Sequence, residues 1–213
     1  MGKTSCAPIL GIDRLRMGTD GKGITSLVTF YGCPLYCKYC LNPQCHNNLA
    51  DVPYRNPQEV YDAVSVDELY YLATGGGVTF GGGEPLLYAD FIIDVLKLGA
   101  KNWNITIESS LNVPHKQIEK LLPYINSIIV DVKDMNPQIY KAYTRTSNAI
   151  VIKNLKELAA IGFSNNVLVR IPLIKGYNTN DDNRASKRFL EDLGYTSFDL
   201  FEYNTSFNHD WER

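Results

Sequence analysis

Residues Thr29–Asn42 read T-F-Y-G-C-P-L-Y-C-K-Y-C-L-N, with Cys33, Cys37 and Cys40 spaced C-x3-C-x2-C on one short loop. An apolar run from Ser26 to Tyr31 leads in, and Gly32 and Pro34 break regular structure at the first thiol. Thiolates are soft donors, and a tight cysteine loop suits zinc or an iron–sulfur cluster. A structural zinc site closes four ligands, usually as two pairs well apart in sequence. No second pair exists here, so Cys45 or His46 would have to complete it. A [4Fe–4S] cube needs four ligands and this loop supplies three, which leaves one iron for something other than protein.

At these residues the chain resembles the radical S-adenosylmethionine (SAM) family, whose three-cysteine loop has this spacing and an aromatic before the last cysteine, here Tyr39. With D-G-K-G-I-T (Asp20–Thr25) ahead of the loop, it is similar to the glycyl-radical-enzyme activases, and the similarity extends from Asp20 to Trp211. The resemblance implies Cys33, Cys37 and Cys40 as cluster ligands, and Tyr39, Cys40 and Leu41 beside SAM. It implies Asp20 as a contact to the partner's glycine-loop peptide. The family usually carries Pro and Arg where this chain has Lys22 and Thr25.

Beyond the loop, Val78-Thr79-Phe80 reads as a strand running into Gly81-Gly82-Gly83-Glu84-Pro85. Glycines ending a strand before a carboxylate let backbone approach a ligand closely, or make a tight turn. The resembled family has G-G-E-P here, which implies that Gly82, Gly83 and Glu84 receive the SAM ammonium; Gly81 stands where a Ser or Thr is usual. Asp131-Val132-Lys133 resembles the activases' D-L-K, implying SAM contacts at Asp131 and Lys133. Glu108 and Ser109 fall where an acidic–hydroxyl pair lies in that family, with a monovalent cation expected near Glu108 and Asp131. R-I-P-L-I-K-G-Y-N, from Arg170, is similar to the family's R-I-P-L-I-P-G-Y-N; a positive group at Arg170 suits the carboxylate of SAM, the partner's peptide or a structural ion pair. Tyr203-Asn204 matches its Y-H or Y-N and implies a ribose contact at Asn204.

The 213 residues carry a net charge of −2 with the signs interspersed. No basic stripe argues for nucleic acid, no acidic tail is present, and no apolar run has the length of a membrane span. Five cysteines, odd in number and mostly clustered, suit a reducing cytoplasm. A single domain over 1–213 is expected: an arm and turn (1–25), a core (26–204) and a short tail (205–213). A helix in one or two pieces is expected over Asn56–Ala73, with a Ser65–Glu68 capping box and a Leu69/Leu72 apolar face. Asn42–Pro57 reads as irregular cover.

Six strands alternating with helices predict a parallel α/β structure with right-handed crossovers. A chain this short does not close an eight-unit barrel, so a partial (β/α)6 TIM-type barrel is expected, with the radical SAM core and an open side that admits a partner's loop. The resemblance implies reductive cleavage of SAM at the [4Fe–4S] cluster and hydrogen abstraction from a backbone glycine of a glycyl radical enzyme. Flavodoxin or ferredoxin is the implied electron donor and a monomer the implied state. The alternatives are a radical SAM enzyme modifying another peptide or small molecule, and a non-catalytic metal-binding module.

Overall fold

The computed structural model describes residues 6–206; the first five residues of the expected arm, and the expected tail from residue 207 on, lie outside the described residues. In chain order the elements are β1 (Ala7–Met17), β2 (Ile24–Phe30), β3 (Tyr54–Arg55), α1 (Pro57–Ser65), α2 (Glu68–Thr74), β4 (Gly77–Gly82) and α3 (Ala89–Leu96). There follow β5 (Asn104–Ser109), α4 (His115–Leu121), β6 (Ser127–Asp131), α5 (Pro137–Thr144), α6 (Ala149–Ala160), β7 (Val167–Leu173), α7 (Asn180–Asp192) and β8 (Ser197–Glu202). The strands form one open row, β3-β1-β2-β4-β5-β6-β7-β8. The β2–β4, β4–β5 and β7–β8 pairs are parallel, giving the mostly parallel α/β sheet that the strand–helix alternation predicts. Outside the alternating strands, β1 runs antiparallel to β2, so the expected N-terminal arm is a strand beside the sheet, and β3 runs antiparallel to β1.

By contacts the chain divides into two compact units. The first holds the described residues through Cys33, with Gln44–Glu108 and His115–Ile128. The second holds Pro34–Pro43, Ser109–Pro114 and the described residues from Ile129 on.

In the first unit, β2 is the organising strand. Val28 and Phe30 are fully buried, and Phe30 stacks on Tyr88 with ring centroids 5.0 Å apart. β1 carries extra residues relative to β2, with register shifts at Ile9/Gly11 and Asp13/Arg16; the second contains Leu15 at φ 56°. Such bulges twist an antiparallel pair. Gly77 must be glycine, because a Cβ there would meet the Asn104 carbonyl oxygen at 2.2 Å on the neighbouring strand. Gly75, at φ 69°, caps α2.

The helical stretch divides into α1 and α2, and its capping differs from expectation. The capping box is Asn56 with Glu59, because Pro57 occupies the first helical position. Ser65 instead donates to the Asp62 carbonyl (3.2 Å). Leu69 and Leu72 are exposed at 77% and 51%, and the buried residue of α2 is Tyr71. Its hydroxyl is bonded to Ser26 Oγ (2.6 Å) and to the Val64 carbonyl (2.9 Å), anchors that a leucine lacks. The expected irregular cover contains two 3₁₀ turns, Pro43–His46 and Leu49–Asp51, as well as β3.

In the second unit, β7 and β8 pair from Leu168↔Ser197 to Leu173↔Glu202. Helix α7 opens with a Thr179–Asp182 capping box, and Asn136 caps α5. Asp134 is buried and accepts from the Asn178 side chain (3.2 Å) and the Asn136 backbone (2.8 Å). Asn178 Oδ1 in turn accepts from the Ile174 N–H (2.6 Å), so this buried amide staples the turn after β7.

Asp67 links three elements of the first unit. Arg14 donates to it through Nε (2.6 Å) and Nη2 (2.7 Å), and Ser26 Oγ donates at 3.4 Å. These bonds, the Arg14 fork above all, hold the Asp67 carboxyl below its ordinary range. A depressed carboxyl stabilises the fold above its unfolded value, about 3.9, and loses that contribution as pH falls through the lower folded value. Asp67→Asn is therefore expected to lower the urea midpoint at pH 7, and the gap to wild type is expected to narrow below about pH 4.

Candidate functional site

The first unit carries Asp20, Cys33, Gly82, Gly83, Glu84 and Glu108. The G-G-E turn is joined to the end of β2 through backbone hydrogen bonds. The Gly83 N–H donates to the Phe30 carbonyl (2.9 Å) and the Glu84 N–H to the Gly32 carbonyl (2.7 Å). Gly32, at φ 87°, donates its own N–H to the Cys45 carbonyl (3.1 Å). A Cβ on Gly83 would lie 2.2 Å from the Gly32 oxygen, and one on Gly82 would lie 2.7 Å from Thr29 Cβ. Both glycines are thus demanded by the chain they pack on, before any ligand is considered.

Glu84 is fully buried, and its Oε1 accepts from the Leu86 N–H (3.3 Å), capping the Pro85–Tyr88 turn. Gly81 leaves room for Glu108, whose Cβ and Oε2 would each lie 3.3 Å from a Cβ added there. Asp20 is buried and bonded to Arg16 and Thr19, and its carbonyl accepts from Thr79. Those bonds make it an anchor of the turn that connects β1 and β2.

The second unit carries Cys37, Tyr39, Cys40, Leu41, Ser109, Asp131, Lys133, Arg170 and Asn204. Cys37 is buried and Cys40 half-buried, with the Cys40 N–H donating to the Cys37 carbonyl (3.2 Å). Burial pushes the Cys37 thiol up to about 12, and the charge of Lys133 opposes that rise. Lys133 is only 5% exposed, and its Nζ donates to Asp131 Oδ2 at 2.9 Å. Burial is the largest single influence and works against the ammonium, but Asp131, with Tyr203, Cys37 and Tyr143 added, holds the Lys133 pKa well above its ordinary value. The other Asp131 oxygen, Oδ1, is shielded from solvent and has no hydrogen-bond partner. A buried acceptor left without a donor is costly, and a polar ligand relieves that cost.

Ser109 Oγ accepts from the Leu111 N–H (2.8 Å), ending β5. Arg170 faces Asp199 across the β7–β8 pair at 3.7 Å. Asn204 is exposed and accepts from the Ser206 N–H (2.9 Å), and Leu41 is exposed. Scattered spacing hid one feature from the sequence reading. Tyr39, Tyr143, Tyr177 and Tyr203 form a ring-to-ring cluster, centroids 5.1–6.2 Å apart along its contacts, with Lys133 Nζ 5.2 Å from the centroid of Tyr203.

Among the described residues, no three His, Cys, Asp or Glu side chains are gathered so as to hold a metal ion. The case for a cluster is therefore the donor chemistry and spacing of the three thiols, and the bare Asp131 oxygen beside a buried cation fits a polar cofactor.

Residues 27–186 match the model of the radical SAM superfamily. The chain belongs to that superfamily. Among curated proteins it is similar to the (2S)-3-sulfopropanediol dehydratase activating enzyme of Klebsiella oxytoca, 30% identical over 76% of this chain and 69% of that one. It is similar to the 4-hydroxyphenylacetate decarboxylase activating enzyme of Clostridioides difficile strain 630, 28% identical over 77% and 71%. The trans-4-hydroxy-L-proline dehydratase activating enzyme of Clostridioides difficile is 25% identical over 91% and 83%. Within the radical SAM superfamily the chain thus groups with glycyl-radical-enzyme activating enzymes, and the family implies a [4Fe–4S] cluster and SAM. The crystal structure of Streptococcus suis SuiB bound to precursor peptide SuiA shares the fold, with a TM-score of 0.64 at 16% identity. The match covers 87% of this chain and 42% of that one, so the chain spans less than half of SuiB. No helix among the described residues is long and apolar enough to cross a membrane.

The backbone collision at Gly83 yields a test that needs no cofactor. Gly83→Ala is expected to lose about 1–3 kcal/mol of stability in urea unfolding of the cluster-free protein, because the clash is with rigid backbone.

Proposed function

We propose that this radical SAM enzyme activates a partner glycyl radical enzyme by taking a hydrogen atom from a backbone glycine of that partner. What supports the reading most is the pair of hydrogen bonds joining the G-G-E turn to Phe30 and Gly32, directly ahead of Cys33, in a chain of this superfamily. When bound, the [4Fe–4S] cluster and SAM supply one-electron reductive cleavage and a hydrogen-abstracting equivalent.

In this reading Cys33, Cys37 and Cys40 are the three protein ligands of the cluster. A ligating thiol must give up its proton, and Lys133 lowers the cost of doing so at Cys37. Gly82, Gly83 and Glu84 receive the ammonium of SAM, a charge-assisted contact for the buried Glu84 carboxylate. Lys133 and Arg170 offer positive charge to its carboxylate. Asp131 offers its bare oxygen to a donor, or to a monovalent cation shared with Glu108. Tyr39 and Leu41 flank the nucleoside, and Ser109 and Asn204 add hydrogen bonds. The turn that the buried Asp20 braces receives the partner's peptide, and a flavodoxin or ferredoxin delivers the electron. No side-chain general acid or base is required, because the chemistry moves an electron and a hydrogen atom.

Anaerobically reconstituted protein is expected to be brown and, with dithionite and SAM, to release 5′-deoxyadenosine by chromatographic assay. Ser replacement at Cys33, Cys37 or Cys40 is expected to abolish that release. A colourless, zinc-containing protein would overturn the reading. SAM cleavage without a glycyl radical doublet in electron paramagnetic resonance of any candidate partner would transfer support to modification of another substrate.

A further inference from the structure

Lys133 is an ammonium almost out of contact with water, and buried charge persists only where it is compensated. A lysine carries three donors, and the carboxylate of Asp131 takes one at 2.9 Å. The second contact is not a hydrogen bond. Nζ lies 5.2 Å from the ring centroid of Tyr203, over the face of the phenol, within the range of a cation–π interaction. The carboxylate and the ring confine the ammonium.

Tyr203 is itself held. It directly follows β8, and its N–H donates to the Leu173 carbonyl (2.8 Å) at the end of β7. Its ring meets Tyr143 edge-on (6.2 Å, 74°) and Phe201 at a tilt (5.9 Å). Tyr143 is buttressed in turn by Tyr177, edge-on at 5.1 Å, and both pack on Tyr39, between Cys37 and Cys40. Such edge-to-face contacts add to simple burial. The Tyr203 ring therefore has little freedom to leave Lys133. The sequence motif drew attention to Asn204, but Asn204 is exposed, whereas its neighbour is buried against the one lysine of the D-V-K segment.

We propose that Tyr203 is a positioning residue for SAM binding: its ring face fixes the Lys133 ammonium in the orientation that meets the cofactor, without touching the cofactor itself. The proposal rests on Lys133 being a SAM contact. It predicts that the ring matters and the hydroxyl does not, and that the effect vanishes once Lys133 is gone.

The test is equilibrium dialysis of SAM against anaerobically reconstituted holoprotein, for wild type, Tyr203→Phe, Tyr203→Leu, Lys133→Met and the double variant. Tyr203→Leu is expected to weaken binding about tenfold, the scale of a desolvated cation–π contact, while Tyr203→Phe stays within about threefold of wild type. In the Lys133→Met background, Tyr203→Leu is expected to add less than about threefold. Equal loss in both backgrounds, or no loss with Tyr203→Leu, overturns the proposal. A wild type that fails to bind SAM overturns the functional reading as well. Wild type and Lys133→Met binding alike overturns only the assignment on which this proposal rests. If Tyr203→Leu does not fold, NMR decides: upfield ring-current shifts of the Lys133 ε-methylene protons in wild type and Tyr203→Phe support the proposal, and unshifted protons overturn it.

Discussion

Two backbone N–H groups, those of Gly83 and Glu84, donate into the carbonyls of Phe30 and Gly32, and much of the first unit depends on that approach. It brings one peptide against another with no room for a side chain at Gly83, where a Cβ would sit 2.2 Å from the Gly32 oxygen. Positive φ at Gly32 and Gly82 completes the arrangement. The residue before the first cysteine and the turn before the buried glutamate are thus parts of one hydrogen-bonded backbone object. A motif usually discussed for what it binds is, first, a packing solution for two loops at the ends of parallel strands.

Two carboxylates, one buried and one half-buried, make an instructive contrast. Asp67 receives both arms of Arg14 as well as Ser26, so both of its oxygens are satisfied by the protein. It is an architectural charge that links β1, β2 and the start of α2. Asp131 shares only one oxygen with Lys133 and keeps the other shielded and unpartnered. The protein satisfies Asp67 completely and Asp131 by half, which leaves an unmet acceptor at Asp131. That incompleteness leaves Asp131, beside the buried Lys133 ammonium, with an acceptor still open to a donor.

Strand–helix alternation and the glycine breaks carried the parallel core, because these signals are local and of regular period. The failures were local signals overruled by distant partners. Ser65 and Glu68 have capping-box spacing, but Ser65 is the last residue of α1 and its hydroxyl turns back to the Asp62 carbonyl, so Asp67 precedes α2 instead. Leu69 and Leu72 look like an inward face, yet Tyr71 turns inward because Ser26 and Val64 accept its hydroxyl. β3 is two residues long and exists only because β1 lies beside it, so no window of sequence announces it.

The amino-acid sequence by itself determined the chemistry available: three thiols at a cluster-binding spacing, a glycine–glutamate turn, an aspartate–lysine pair and the order of strands that presents them. Those are properties of residue type and short spacing. Only the tertiary structure decided which groups are already satisfied. It assigned Glu84 to a cap and Arg170 to Asp199, left one Asp131 oxygen bare, and set Tyr203 over Lys133. The last pair lies seventy residues apart along the chain, and a contact at that separation is fixed by packing, which no local pattern encodes.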